Sequence, residues 1–229
     1  MQYLHAEKGI KKIYISQIIA VIALLLVSCS TLFVKLFIYA SLDADEVISN
    51  ILLLLVGGGF ELLAVIAFVL MVIYGMLGYW NASKDDSEFR RAMICVLASG
   101  VLAIIGSLFQ LPSPMLHTMF SAASMVLELF IVVYAISGII NLAQGCEHSE
   151  MADEGDRLLK IMVFTYIISA IDKLIIRIFE LSDQAKIISG IMGVLDLIVS
   201  LLQYVLILRY LRKTENMLKT VNAANGDAT

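Results

Sequence analysis

The chain has 229 residues, of which 60% are hydrophobic, and a mean hydropathy of +0.92. Soluble domains run nearer about 45–50% apolar, so a soluble core could not hide this surface and the sequence reads as a polytopic membrane protein. A net charge of −4 and a pI near 5.4, with no basic stripe, exclude nucleic-acid binding. The three cysteines, Cys29, Cys95 and Cys146, are scattered and form no CxxC pair, which excludes a disulfide framework or a zinc site.

A bilayer core needs roughly 20 apolar residues of helix. Six segments qualify, at about 13–40, 47–80, 91–111, 115–143, 158–181 and 186–212. The first follows Lys8, Lys11 and Lys12 and contains Leu26-Val27-Ser28-Cys29, which matches a bacterial lipobox. Its apolar run continues to Ala40, longer than a signal h-region, so it reads as an uncleaved first span. Ser41-Leu42-Asp43-Ala44-Asp45-Glu46 separates it from the second, which carries Gly57-Gly58-Gly59 just before Glu61. That triplet predicts a kink or close helix packing, with a helix break beside the acid as the transporter-like alternative. Pro112 and Pro114, the only prolines, divide the third segment from the fourth, because neither can continue a helix. Between the fourth and fifth lies a charged run, Cys146 to Asp156, that reads as a solvated loop rather than a metal site.

Orientation follows the basic residues. Lys8, Lys11 and Lys12, then Lys84, Arg90 and Arg91, then Arg157 and Lys160, then Arg209, Arg212, Lys213 and Lys219 all fall on one side. Lys186 alone falls on the other. The positive-inside rule therefore places both termini in the cytoplasm.

Three acids, Glu61, Glu128 and Asp196, occur at intervals of 67 and 68 within the even-numbered segments. Gln110 and Arg177, late in odd-numbered segments, are also 67 apart, and Lys35 fits if the first external loop carries about eight extra residues, an insertion that loops tolerate. The pattern predicts an all-α bundle of six transmembrane helices, a single membrane domain of three tandem helical hairpins at approximately 8–84, 88–150 and 155–215. A rival register aligns Tyr74 and Gly78 with Tyr134 and Gly138 at a spacing of 60, two helical turns away from 67.

The stretch Ile73-Tyr74-Gly75-Met76-Leu77-Gly78 through Arg90-Arg91-Ala92-Met93-Ile94-Cys95, with Val133-Tyr134-Ala135-Ile136-Ser137-Gly138-Ile139-Ile140, resembles uncharacterised small bacterial multi-pass membrane proteins built from tandem two-helix units. The resemblance covers about half the chain and brings no activity with it.

Ionisable groups inside spans are costly and point to function by default. The bases are Lys35, Lys173 and Arg177, and the acids are Glu61, Glu128, Asp172 and Asp196. Lys35 can pair with Glu61, and Arg177 or Lys173 with Asp196 near Asp172, whereas the second hairpin offers Glu128 only the neutral Gln110. Polar residues also recur at helical spacing. The stripes are Ser28, Thr31, Lys35; Ser99, Ala103, Gly106, Gln110; Ser121, Ser124, Glu128; Thr165, Ser169, Lys173, Arg177; and Ser189, Gly193, Asp196, Ser200, Gln203. They are expected to face the bundle interior, since lipid satisfies no hydrogen bond.

No enzyme motif is present, and His5, His117 and His148 fall on different sides of the membrane, so neither catalysis nor a cofactor is expected. Two readings remain. One is transport of a proton, cation or small solute through the polar interior. The other is a non-catalytic scaffold or accessory subunit with structural charge pairs, its partners being the lipid bilayer and a membrane protein or a second copy of the chain.

Overall fold

The computed structural model describes residues 3–40, 46–109, 114–179 and 185–226. Among them are six helices and no strand: α1 (Leu4–Ala40), α2 (Glu46–Ala82), α3 (Ser87–Leu108), α4 (Pro114–Gly145), α5 (Ser149–Phe179) and α6 (Ala185–Gly226). Four stretches, Leu4–Thr31, Val56–Ala82, Ser87–Leu108 and Met119–Gly145, are long and apolar enough to cross a membrane. The shortest, at 22 residues, reaches about 33 Å, enough for a hydrocarbon core. Leu62, Ile104 and Phe164 are each more than half exposed, which suits a helix surface solvated by lipid rather than water.

The helices outrun the apolar segments, mainly at the basic end. α1 begins at Leu4 rather than 13, α5 at Ser149 rather than 158, and α6 runs on to Gly226 rather than ending near 212. Hydropathy marks where a chain is apolar, whereas these extensions are amphipathic and bury one face only. In α6 the buried positions are Tyr210, Leu211, Thr214, Glu215, Met217 and Leu218, spaced as one helical face. In α5 they are Ala152, Gly155, Leu158 and Met162.

The chain divides into two compact units, residues 12–77 and residues 1–11 with 78–229. In the unit formed by 12–77, Ser16 Oγ donates to the Met71 carbonyl at 2.8 Å, and the hydroxyl packs over Gly75. α2 is continuous through Gly57-Gly58-Gly59, so the transporter-like break is not observed. A Cβ on Gly58 or Gly59 would meet nothing within 4 Å among the described residues, so close packing does not explain these two glycines.

In the other unit α3 packs on α4, α4 on α5 and α5 on α6. At the basic end the start of each odd helix lies against the end of the following even one. A Cβ on Gly9 would stand 2.7 Å from the Gly78 carbonyl oxygen, so the backbones approach as only glycine permits. The Phe89 ring fills the space beside Gly138, and Tyr210 fills that beside Gly155.

Short polar residues close these helix ends. Asp86, with extended backbone (φ −146°, ψ 134°), accepts from Glu88 N–H at 2.7 Å and so caps α3. Asp85 reaches across to accept from Ala6 N–H at 2.6 Å, capping the first turn of α1 from another segment. α4 ends in a Schellman turn: His148 N–H donates to the Ala143 carbonyl and Glu147 N–H to that of Gln144, with Glu147 at φ 61°.

Candidate functional site

Two of the polar stripes meet where α3 faces α4. Ser99 and Ser124, both buried, share a hydrogen bond of 2.8 Å between the helices. Beside it opens a recess of about 340 Å³, lined by Leu102, Ala103 and Gly106 from α3 and by Ser121, Ser124, Met125 and Glu128 from α4. Five of these seven residues belong to the two stripes read from the sequence. The recess exists because the α3 stripe is small: Ala103 and Gly106 leave space that a larger side chain would fill.

Glu128 is exposed on this recess. It lies nine residues from Met119 and seventeen from Gly145, the two ends of its apolar stretch, or about 14 and 26 Å along the helix. The carboxylate is thus well inside the apolar part of α4. Tyr166 of α5 and Tyr204 of α6 lie within electrostatic reach of it, so three helices address one acid. An acid at bilayer depth costs about 2.5–3.5 kcal/mol on insertion scales, a cost that hydroxyls and a polar recess reduce.

The other expected site residues are distributed differently. Glu61 is exposed in α2, within the unit formed by 12–77. Gln110 lies outside the described residues, as do the side chains of Lys35, Asp172, Lys173, Arg177 and Asp196. The α5 and α6 stripes do meet, because Gln203 Nε2 donates to Thr165 Oγ1. On α1 the hydroxyls turn back on their own helix: Ser28 donates to the Leu24 carbonyl at 2.9 Å and Thr31 to that of Val27 at 3.0 Å. Thr31 is exposed, so its satisfaction needs no bundle interior, contrary to the expectation for that stripe.

The basic end holds a second polar group of residues, one that the charge count missed. Asn222 accepts from Tyr3 N–H at 2.8 Å and donates to Glu7 at 2.8 Å. Asn141 donates to Asp86 at 3.1 Å, joining α4 to the cap of α3. Lys213 binds both oxygens of Glu154, at 2.7 and 2.6 Å. Glu215, only 2% exposed, pairs with Lys219 and lies 3.7 Å from the Arg212 guanidinium. Burial, with Cys146 and Asp85 nearby, pushes the Tyr3 phenol above its ordinary range. Burial likewise pushes the Cys146 thiol up. One signal for this network was present in the sequence: Asp86 ahead of Ser87 and Glu88 is a helix N-cap pattern.

No family model, curated protein or solved structure matches this chain.

Proposed function

We propose that the chain is a six-span protein of the bacterial cytoplasmic membrane, built from three related helical hairpins, that moves a proton, cation or small solute along a path through Glu128. The observation that carries this reading is the recess: a carboxylate well inside an apolar stretch, exposed on a hollow lined by serine hydroxyls and small side chains.

The span number is supported by where the chain ends meet. Tyr3 bonds Asn222, and Asp85 caps α1. Two ends held together at one surface require an even number of crossings. α5 and α6, at 31 and 42 residues, are long enough to make the fifth and sixth. The segments gathered there carry the twelve basic residues, which supports a cytoplasmic location for this end. The repeated packing of odd-helix starts on even-helix ends, at Gly9 with Gly78, Phe89 with Gly138, and Gly155 with Tyr210, supports the hairpin as the unit.

The second reading, a non-catalytic scaffold or accessory subunit, is favoured by the network at the basic end, whose ion pairs and amides join helices to one another. A flux assay in proteoliposomes separates the two. Proton and monovalent-cation flux should fall at least tenfold in Glu128→Gln and in Lys35→Met. Flux equal to wild type in both variants would reject the transport path.

A further inference from the structure

We propose that the connection between α2 and α3 binds the headgroup of an anionic phospholipid, held by Lys84 and Arg90, with Trp80 beside it at the membrane interface. This goes beyond the pathway reading and holds whether or not a solute moves past Glu128.

The connection carries three acids, Asp85, Asp86 and Glu88, and three bases, Lys84, Arg90 and Arg91, yet they do not pair off. Asp85 faces the start of α1, where it accepts from Ala6 N–H at 2.6 Å. Asp86 faces the start of α3, where it accepts from Glu88 N–H at 2.7 Å, and it also accepts from Asn141 at 3.1 Å. A carboxylate at a helix start answers the partial positive charge of the backbone there. Glu88 pairs with Arg91 at 2.6 Å, and the Arg91 guanidinium also lies over the Tyr134 ring. All three acids are therefore engaged. Lys84 and Arg90 are exposed, and among the described residues neither has an ion pair.

Position selects the anion that would answer them. The apolar stretch of α2 ends at Ala82 and that of α3 begins at Ser87, so the two bases stand at the edge of two candidate spans, where lipid headgroups lie. Trp80, exposed on the last turns of α2, is a residue type favoured at that level. Arg90 also heads a stripe of exposed apolar residues on α3, Ile94, Leu97, Val101 and Ile104, spaced as one helical face. A guanidinium binds phosphate through two parallel N–H bonds, and an ammonium adds a point charge. A soluble anion would gain only these two charges, weakened by water and salt. A phospholipid gains them and lays its acyl chain along the α3 stripe. Juxtamembrane bases attract anionic lipid in this way.

Trp80 is the only tryptophan in the chain, so its fluorescence reports on this site alone. The full-length protein is reconstituted in phosphatidylcholine bilayers with a minor share of phosphatidylglycerol. One lipid or the other carries brominated acyl chains, which quench tryptophan on contact. Quenching then gives the affinity of phosphatidylglycerol relative to phosphatidylcholine at Trp80. The preference should be at least about fivefold, the size of one base's contribution at an anionic lipid surface. Lys84→Gln with Arg90→Gln should abolish it, while Lys84→Arg with Arg90→Lys should keep it. Lys160→Gln with Arg209→Gln removes as much charge from α5 and α6 and should leave it unchanged. Glycerophosphate in solution should not compete. No preference in wild type, a preference unmoved by the first variant, or an equal loss in the α5/α6 variant overturns the site. Competition by glycerophosphate would do so too, marking a site for soluble anions instead. Brominated phosphatidylcholine as the sole lipid should quench Trp80 in every variant. Without that quenching the end of α2 is not in contact with lipid, and both its placement and the site are rejected. Quenching without preference rejects the site alone.

Discussion

The basic end and the α3/α4 recess treat polar groups in opposite ways. At the basic end, Asp85, Asp86, Asn141, Asn222 and Lys213 are each committed to a named partner on another segment or helix end. The residues packed among them, Ala6, Ile10, Phe89, Met162 and Leu218, are almost wholly buried. In the recess the Glu128 carboxylate lines a hollow between two helices, and the α3 residues opposite it are small. The same kinds of side chain therefore serve two purposes. Where each donor has its acceptor and the gaps are filled, polarity fixes helices in place. Where an acid lines a hollow beside small side chains, the fold leaves room for something that is not part of the chain.

The largest test of this contrast is Phe89→Ala. The ring is fully buried and occupies the space beside Gly138, so its removal leaves a cavity between α3 and α4 at the basic end. Losses for such truncations run to about 3–5 kcal/mol. Thermal unfolding of the detergent-solubilised protein should show this drop. A loss below about 1 kcal/mol would mean that the basic end is not the tightly packed region. Asn222→Ala should come next, at about 1–3 kcal/mol, because it strands the Tyr3 N–H and one Glu7 oxygen at once. Asn222→Asp restores the acceptor but places a second carboxylate against Glu7, so it should recover little.

These residues also mark how far the sequence could be read. The apolar runs located six helices, and the basic residues grouped the segments that the structure brings together at one end. Hydropathy could not locate the true ends of α1, α5 and α6, since their extensions are polar on one face. The spacing of Tyr210, Leu211, Thr214, Met217 and Leu218 carried that information as a 3.6-residue period instead. The stripes on α3 and α4 predicted the faces that meet at Ser99 and Ser124. They did not predict a hollow there, because a cavity depends on how two helices fit and not on either helix alone. Nor could they foresee Thr31 bonding back to Val27, a choice made within one helical turn. The trans cap from Asp85 to Ala6 joins residues 79 apart, and no local pattern announces such a contact.

A smaller effect concerns pH. The Cys146 thiol is held above its ordinary value of 9.0 by burial, and Tyr3 above 10.0. Both groups keep their protons more tightly in the folded protein than in the unfolded chain. Their contribution to stability is therefore complete below about pH 9 and is lost as pH rises toward the raised folded values. With Cys29 and Cys95 changed to serine, the pH midpoint of Cys146 alkylation by iodoacetamide should lie above 9.0 in the folded protein and fall back on unfolding. A folded midpoint at or below 9.0 would show that the 4–5 connection is open to water.

The smallest expected change in stability belongs to the residue expected to matter most for function. Glu128→Gln alters an exposed side chain, keeps its shape and its capacity to hydrogen-bond, and removes a charge that lipid disfavours. Its unfolding free energy should stay within about 0.5 kcal/mol of wild type, as for shape-preserving substitutions of exposed side chains. If the carboxylate instead anchored the fold, losing its charge would lower stability by an amount comparable to Asn222→Ala. The two residues thus form a paired comparison in one assay. A Glu128→Gln protein that is as stable as wild type, yet has lost flux, assigns the acid to the recess. One that unfolds as readily as Asn222→Ala assigns it to the scaffold, and the contrast between the two regions then disappears.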